Sequence, residues 1–191
     1  MIQWDNICRT LVAPRLAWHY PGATAIYREA VTPWGPQDVV RQLIRNSATV
    51  LYSHADMTHN LLPGGAYFSA SDLRSIPDAA GKLMLNAGCW TGNHPPYSSD
   101  SAAAGLVAAA LDRHLTYVGP TDTGVGGNYT LVWDDYIWMH FLDALWQPRN
   151  KTVGAAWIAA WNGYYAAQDS QLFQEMGWDV DGTPRVYTIT Q

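Results

Sequence analysis

The sequence predicts an α/β fold, a three-layer sandwich built around a mostly parallel central sheet. Two short apolar runs, TVLY at residues 49–52 and LML at residues 83–85, have the uninterrupted hydrophobicity of strands buried on both faces. Stretches of helical period stand among the apolar runs, so strands and helices alternate along the chain. Each run also stops abruptly at small or polar residues that carry a reactive side chain, His54 after the first and Cys89 after the second. In an open parallel sheet the ligand site lies beyond the carboxyl ends of the strands. Two neighbouring strands ending in this way would bring together a base and a nucleophile that stand 35 positions apart in the chain.

The elements follow in order. Residues 1–22 read as an edge strand or an extended segment covering one, broken by Pro14 and by the turn at Pro21-Gly22. Residues 23–30 (ATAIYREA) read as a strand with Glu29 near its end. Pro36 suits the first turn of a helix through residues 37–45, in which Val39, Val40, Leu43 and Ile44 form one apolar stripe. After His54 the chain reads as a loop as far as Ser71-Asp72-Leu73, a short helix start that Ile76-Pro77 stops. Asp100 or Ser99 is placed to cap a helix through residues 101–113, whose small side chains allow close approach to a sheet. Residues 116–118 form the next strand, followed by a Gly-rich loop containing Asp122. Residues 132–146 and 152–167 read as helices, the second with Gly163 as a mild defect. Residues 185–190 alternate like a last strand at an edge. The whole reads as a single domain over residues 1–191.

Composition narrows the function classes. The chain has 191 residues, enough for one well-buried core. Its formal charge of −5, with no basic run, disfavours nucleic acid as a partner, because non-specific binding relies on Lys and Arg neutralising phosphates. Apolar stretches are interrupted too early for a membrane span, and the first twenty residues lack the basic start and apolar segment of a signal peptide. Cys8 and Cys89 are the only cysteines, too few for a zinc-type cluster, and are read as two thiols or one disulfide. The oligomeric state is not legible in the sequence.

Cys89 lies in a Gly- and Ala-rich turn whose small neighbours let the backbone bend and turn its amides toward a substrate oxyanion. With a histidine one strand over, the imidazole takes the thiol proton and later protonates the leaving amine. The plainer alternative is a buried, inert cysteine and a structural histidine. A third reading uses the His54, Asp56, His59 run as metal ligands, with Cys89 as a soft fourth, in a metal-dependent hydrolase. Asp56, Asp122 and Glu29 stand near predicted strand ends and are candidates for a carboxylate in a substrate pocket, or else ordinary surface acids. Trp90 either walls that pocket or packs beneath the loop.

The pair YSHAD and LMLNAGCWTG resembles the two motifs of the caspase-like cysteine peptidases, the superfamily of gingipains, clostripain-like peptidases, legumain, separase and CHAT domains. Asp72-Leu73, the Ala-rich segment after Cys89 and Gly182-Thr183-Pro184 add to the likeness, which covers roughly residue 23 to the C-terminus. The resemblance implies a caspase-like sandwich and hydrolysis of peptide bonds in a peptide or protein substrate. It implies Cys89 as nucleophile, His54 as base, the amides of Ala55 and Cys89 at the oxyanion, and no required cofactor or metal. Two departures stand out. Ala55 replaces the glycine that usually follows the histidine, and its Cβ narrows the backbone's freedom there. The first of the family's six strands is also not evident. A catalytically inactive interaction domain on the same scaffold is the alternative these departures suit.

Overall fold

The structure, a computed structural model, describes residues 12–19, 22–23, 34–93, 105–121, 133–150, 152–168 and 187–190. They belong to two compact units, one drawn from Met1–Ala25 and Val125–Pro184, the other from Ile26–Gly124 and Arg185–Gln191.

In the first unit, α1 (Ala13–His19) is a helix where the sequence suggested extended chain. Pro14 lies in its first turn, where a missing N–H removes no internal hydrogen bond, so this proline starts a helix instead of breaking one. The long helices of this unit, α5 (Trp133–Leu145) and α6 (Val153–Gln168), pack against each other. Of the apolar residues on adjoining positions of α5, Ile137, Trp138, Phe141 and Leu142 are buried, with Met139 beside them, whereas Leu145 is only half-buried. Gly163 is where α6 meets the other helix: a Cβ there would come within 2.9 Å of the His140 ring. What reads in isolation as a helix defect is the gap that admits a ring from the neighbouring helix.

The second unit is a small α/β fold in which helices flank two separate sheets. Helix α2 (Pro36–Arg45) starts as the sequence predicted. The Asp38 carboxylate accepts a hydrogen bond from Gly35 N at 2.8 Å, satisfying an amide at the positive end of the helix dipole. Val39, Val40 and Leu43 enter the core, whereas Ile44, expected on the same stripe, is 43% exposed. The four-stranded sheet has the order β1 (Ala48–Leu51), β4 (Leu83–Asn86), β5 (Thr116–Pro120), β6 (Tyr187–Thr190). The first three strands are parallel, and β6 pairs antiparallel with β5 at the edge. Every residue of β4 is buried, as the unbroken LML run requires of a strand with neighbours on both sides.

The second sheet was not foreseen. Strands β2 (His59–Leu61) and β3 (Tyr67–Ser69) form an antiparallel hairpin within the stretch read as loop. Its connection turns through Gly64 and Gly65, both with positive φ, which glycine adopts without penalty. Helix α3 (Ala70–Arg74) follows, with a capping box in which Ser69 Oγ accepts from Asp72 N at 3.4 Å and the Asp72 carboxylate accepts from Ser69 N at 2.9 Å. Helix α4 (Leu106–Leu111) begins only after Gly105, which is extended, and so starts later than residue 101. The predicted strand at 23–30 and the caps Ser99 and Asp100 lie outside the described residues. Among the described residues no helix is long and apolar enough to cross a membrane.

Candidate functional site

The parallel register of β1 and β4 sets the geometry of the site. Leu51 is opposite Asn86, and Ala87 N donates to Leu51 O at 2.9 Å, so the pairing persists to the strand ends. His54 and Cys89 each stand three residues beyond those last partners. The two turns then pack directly on each other. A Cβ on Gly88 would collide with the Ala55 methyl and come within 2.8 Å of the Ser53 carbonyl and 3.1 Å of Asn60 Nδ2. The absence of a side chain at Gly88 is therefore what lets the turn bearing Cys89 seat against the turn bearing His54.

On the histidine side the chain folds back at once. Leu61 N donates to His54 O at 2.7 Å, Ala55 bridges to Asn60, and Asp56 N donates to His59 O at 2.9 Å. His54 itself is exposed and Ala55 is half-buried. Asp56 Oδ1 accepts from Thr58 N at 2.6 Å, Thr58 Oγ1 at 2.7 Å and His59 N at 2.9 Å, and lies 3.1 Å from His59 Nδ1. Partial burial opposes the charge on Asp56, but the Thr58 hydroxyl and the Thr58 and His59 amides outweigh it and hold the carboxyl below its ordinary pKa. The carboxylate thereby fixes its own turn.

On the cysteine side, Cys89 is half-buried and is not in a disulfide. Trp90, 40% exposed, has φ +55°, a left-handed conformation that costs a bulky residue roughly 1–3 kcal/mol. Three contacts hold the turn in that shape. Thr91 Oγ1 donates to Asn86 O at 2.8 Å and lies 3.0 Å from Gly88 O, and Gly92 N donates to Pro120 O at 2.8 Å. Gly92 lies so close to β5 that a Cβ would collide with the Gly119 carbonyl.

Beneath both turns runs a buried polar network that the sequence reading missed. Asn60 and Asn86 exchange reciprocal amide hydrogen bonds, each 2.8 Å. Asn60 Nδ2 also reaches Ser53 Oγ at 3.0 Å, and Asn86 Nδ2 reaches the Tyr117 hydroxyl at 3.0 Å. That hydroxyl donates to Thr91 O at 3.0 Å. Asn60, Asn86, Thr91 and Tyr117 are fully buried. Burial pushes the Tyr117 phenol far above its ordinary pKa despite these hydrogen bonds, so it stays a neutral donor. One signal was present in the sequence: a polar Asn86 closing a strand buried on both faces needs a partner.

Beside the His54 turn, the β2–β3 hairpin and α3 carry a shallow groove of about 640 Å³ lined by Thr58, His59, Tyr67, Ser69, Ser71 and Arg74. Strand alternation sets His59, Tyr67 and Ser69 on the face opposite the buried Asn60 and Phe68. The His59 ring meets Tyr67 edge-on at 4.5 Å. Glu29 and Asp122 lie outside the described residues, as does Cys8. Among the described residues no three His, Cys, Asp or Glu side chains converge as a metal site, so His54, Asp56 and His59 do not form the ligand cluster considered from their spacing. Comparison with protein-family models, with curated proteins and with solved structures found no match for this chain.

Proposed function

We propose that this chain is a cysteine peptidase of the caspase-like type, with Cys89 as nucleophile and His54 as general base. One observation carries the reading: the β1–β4 register and the seating of Gly88 against Ala55 bring the two turns together at the carboxyl ends of adjacent parallel strands. A cysteine and a histidine so supported have the elements of an activated thiol. The Cys89 sulfur would attack the scissile carbonyl while His54 takes its proton. His54 would then protonate the leaving amine, and water would release the acyl-enzyme. The amides of Ala55 and Cys89 would stabilise the oxyanion. The strained Trp90 directly after the nucleophile fits a turn shaped for function, and a hairpin, a helix and a strand separate His54 from Cys89, an order that suits the caspase-like sandwich. Asp56, Trp90, Asp122 and Glu29 remain the candidates for the substrate pocket.

The test is the rate of Cys89 alkylation by iodoacetamide against pH, read by mass mapping in wild type, His54→Ala and Cys89→Ala. The expected result is rapid labelling below about pH 7 that is lost with His54. An ordinary thiol profile with a pKa near ~8.5, unchanged in His54→Ala, overturns the dyad and favours an inactive interaction domain.

A further inference from the structure

We propose that the buried chain Ser53–Asn60–Asn86–Tyr117–Thr91 is a positioning device that locks the turn bearing Cys89 to the turn bearing His54. The inference rests on the dyad reading above. The path starts one residue before His54 and ends two residues after Cys89, and each link is a hydrogen bond of 2.8–3.0 Å. It crosses three strands, β2, β4 and β5, so it ties together segments that the sheet's backbone pairing leaves separate: β2 belongs to the hairpin, β4 and β5 to the parallel sheet.

Physical cost argues that the network has a task beyond filling space. Burying an amide or hydroxyl costs several kcal/mol unless it is paired, and apolar residues of similar shape would fill the same volume without that demand. What paired amides supply is direction. The reciprocal Asn60–Asn86 pair sets both distance and orientation between the two strands, where apolar packing would leave latitude. Thr91 completes the hold, with its hydroxyl on Asn86 O and its carbonyl receiving the Tyr117 proton. All these groups are neutral, so the clamp keeps its shape across the pH range in which a His–Cys pair exchanges its proton. None of these side chains is assigned a contact with the reacting atoms, and each acts through the turns it holds.

Two substitutions remove one group each while keeping the core filled. Tyr117→Phe deletes the hydroxyl that joins Asn86 to Thr91, and Thr91→Val deletes the hydroxyl that closes the Cys89 turn. Thr91→Ser restores the latter. Lys82→Ala is the comparator. Lys82 Nζ bonds the carbonyls of Ile44 and Asn46, each at 2.9 Å, at the amino end of β4, so its loss perturbs the same strand away from the site. The full chain is labelled with iodoacetamide across pH beside wild type and His54→Ala, and thermal midpoints are recorded.

The expected result is that Tyr117→Phe and Thr91→Val slow Cys89 labelling at about pH 6 by tenfold or more, because small misplacements of paired groups cost orders of magnitude in rate. Thr91→Ser and Lys82→Ala keep the wild-type profile. A lowered midpoint with an unchanged pH profile in both Tyr117→Phe and Thr91→Val overturns the positioning role and leaves a purely structural network. Failure of the dyad itself shows elsewhere, as wild-type labelling indifferent to His54→Ala, and that result overturns both readings.

Discussion

The two ends of the central sheet are built on different physics. At the amino ends of the strands the side-chain contacts named are made by ionisable groups and are open to solvent. Arg74 pairs with Asp112 at 2.7 Å, His114 meets Asp78 at 3.0 Å, and Lys82 caps the last carbonyls of α2. At the carboxyl ends, beneath the partly exposed Asp56 turn, a neutral, buried network ties the strands, and glycines allow backbone to touch backbone. Exposed ion pairs are screened by water and salt and tolerate movement. Buried amide pairs and glycine contacts tolerate almost none. One end of the sheet joins elements together, and the other holds a geometry.

If this contrast is right, Gly92→Ala should have the largest effect. Its methyl would meet the Gly119 carbonyl, a backbone atom that cannot swing aside. A loss of roughly 3 kcal/mol in urea unfolding is expected, at the upper end for overpacking. A loss below about 1 kcal/mol would mean the turn and β5 separate easily, and the contrast would fail at its strongest point.

Asn86→Leu comes next. It takes the donor from Asn60 Oδ1, leaves Asn60 Nδ2 with Ser53 alone and removes one partner of the Tyr117 hydroxyl, for an expected cost of about 2–3 kcal/mol. The double variant Asn60→Leu/Asn86→Leu should cost clearly less than the sum of the two singles, since removing both amides leaves no orphan between them. Additive losses in a double-mutant cycle would show that the pair does not act as a unit.

The smallest effect belongs to the amino end. The His114 ring, then the Ala80 amide, hold the Asp78 carboxyl below its ordinary pKa. A carboxyl whose folded pKa lies below its unfolded value of about 3.9 stabilises the fold above that value, and the contribution disappears as pH falls through the folded one. Asp78→Asn should therefore lower the urea midpoint slightly near pH 7, by less than either change above, and the difference should shrink as pH falls below about 3.9. Added salt should shrink the difference further. A salt-insensitive loss as large as that of Asn86→Leu would erase the distinction between the two ends.

Much of this arrangement is legible in residue order. The unbroken apolar run marks β4, which is buried along its whole length. Strand β1, read as equally buried, is an edge strand among the described residues, and its Ala48, Thr49 and Val50 are only half-buried because it has a neighbour on one side alone. Pro36 and the Val39, Val40, Leu43 spacing mark α2, and the alternation at the C-terminus marks the antiparallel edge strand β6. The placing of His54 and Cys89 just past two strand ends follows from the same runs. Less legible were α1, where Pro14 was taken for a breaker, and the β2–β3 hairpin. Three-residue strands such as HNL and YFS carry too few positions for a period to stand out.

Local pattern by itself determined the longer strands and helices, though not α1 or the β2–β3 hairpin, since periodicity and turn chemistry act over a few neighbouring residues. Partnership was decided only when distant segments met. Asn60 and Asn86 stand 26 positions apart, and Asn86 and Tyr117 stand 31 apart, so the sequence shows that Asn86 needs a partner but not which residues supply it. Gly88, Gly92 and Gly163 read as flexible points until the fold sets Ala55, Gly119 and His140 against them. A hydrogen bond or a steric contact depends on distances of a few ångströms, and between remote residues the packed fold alone fixes those distances.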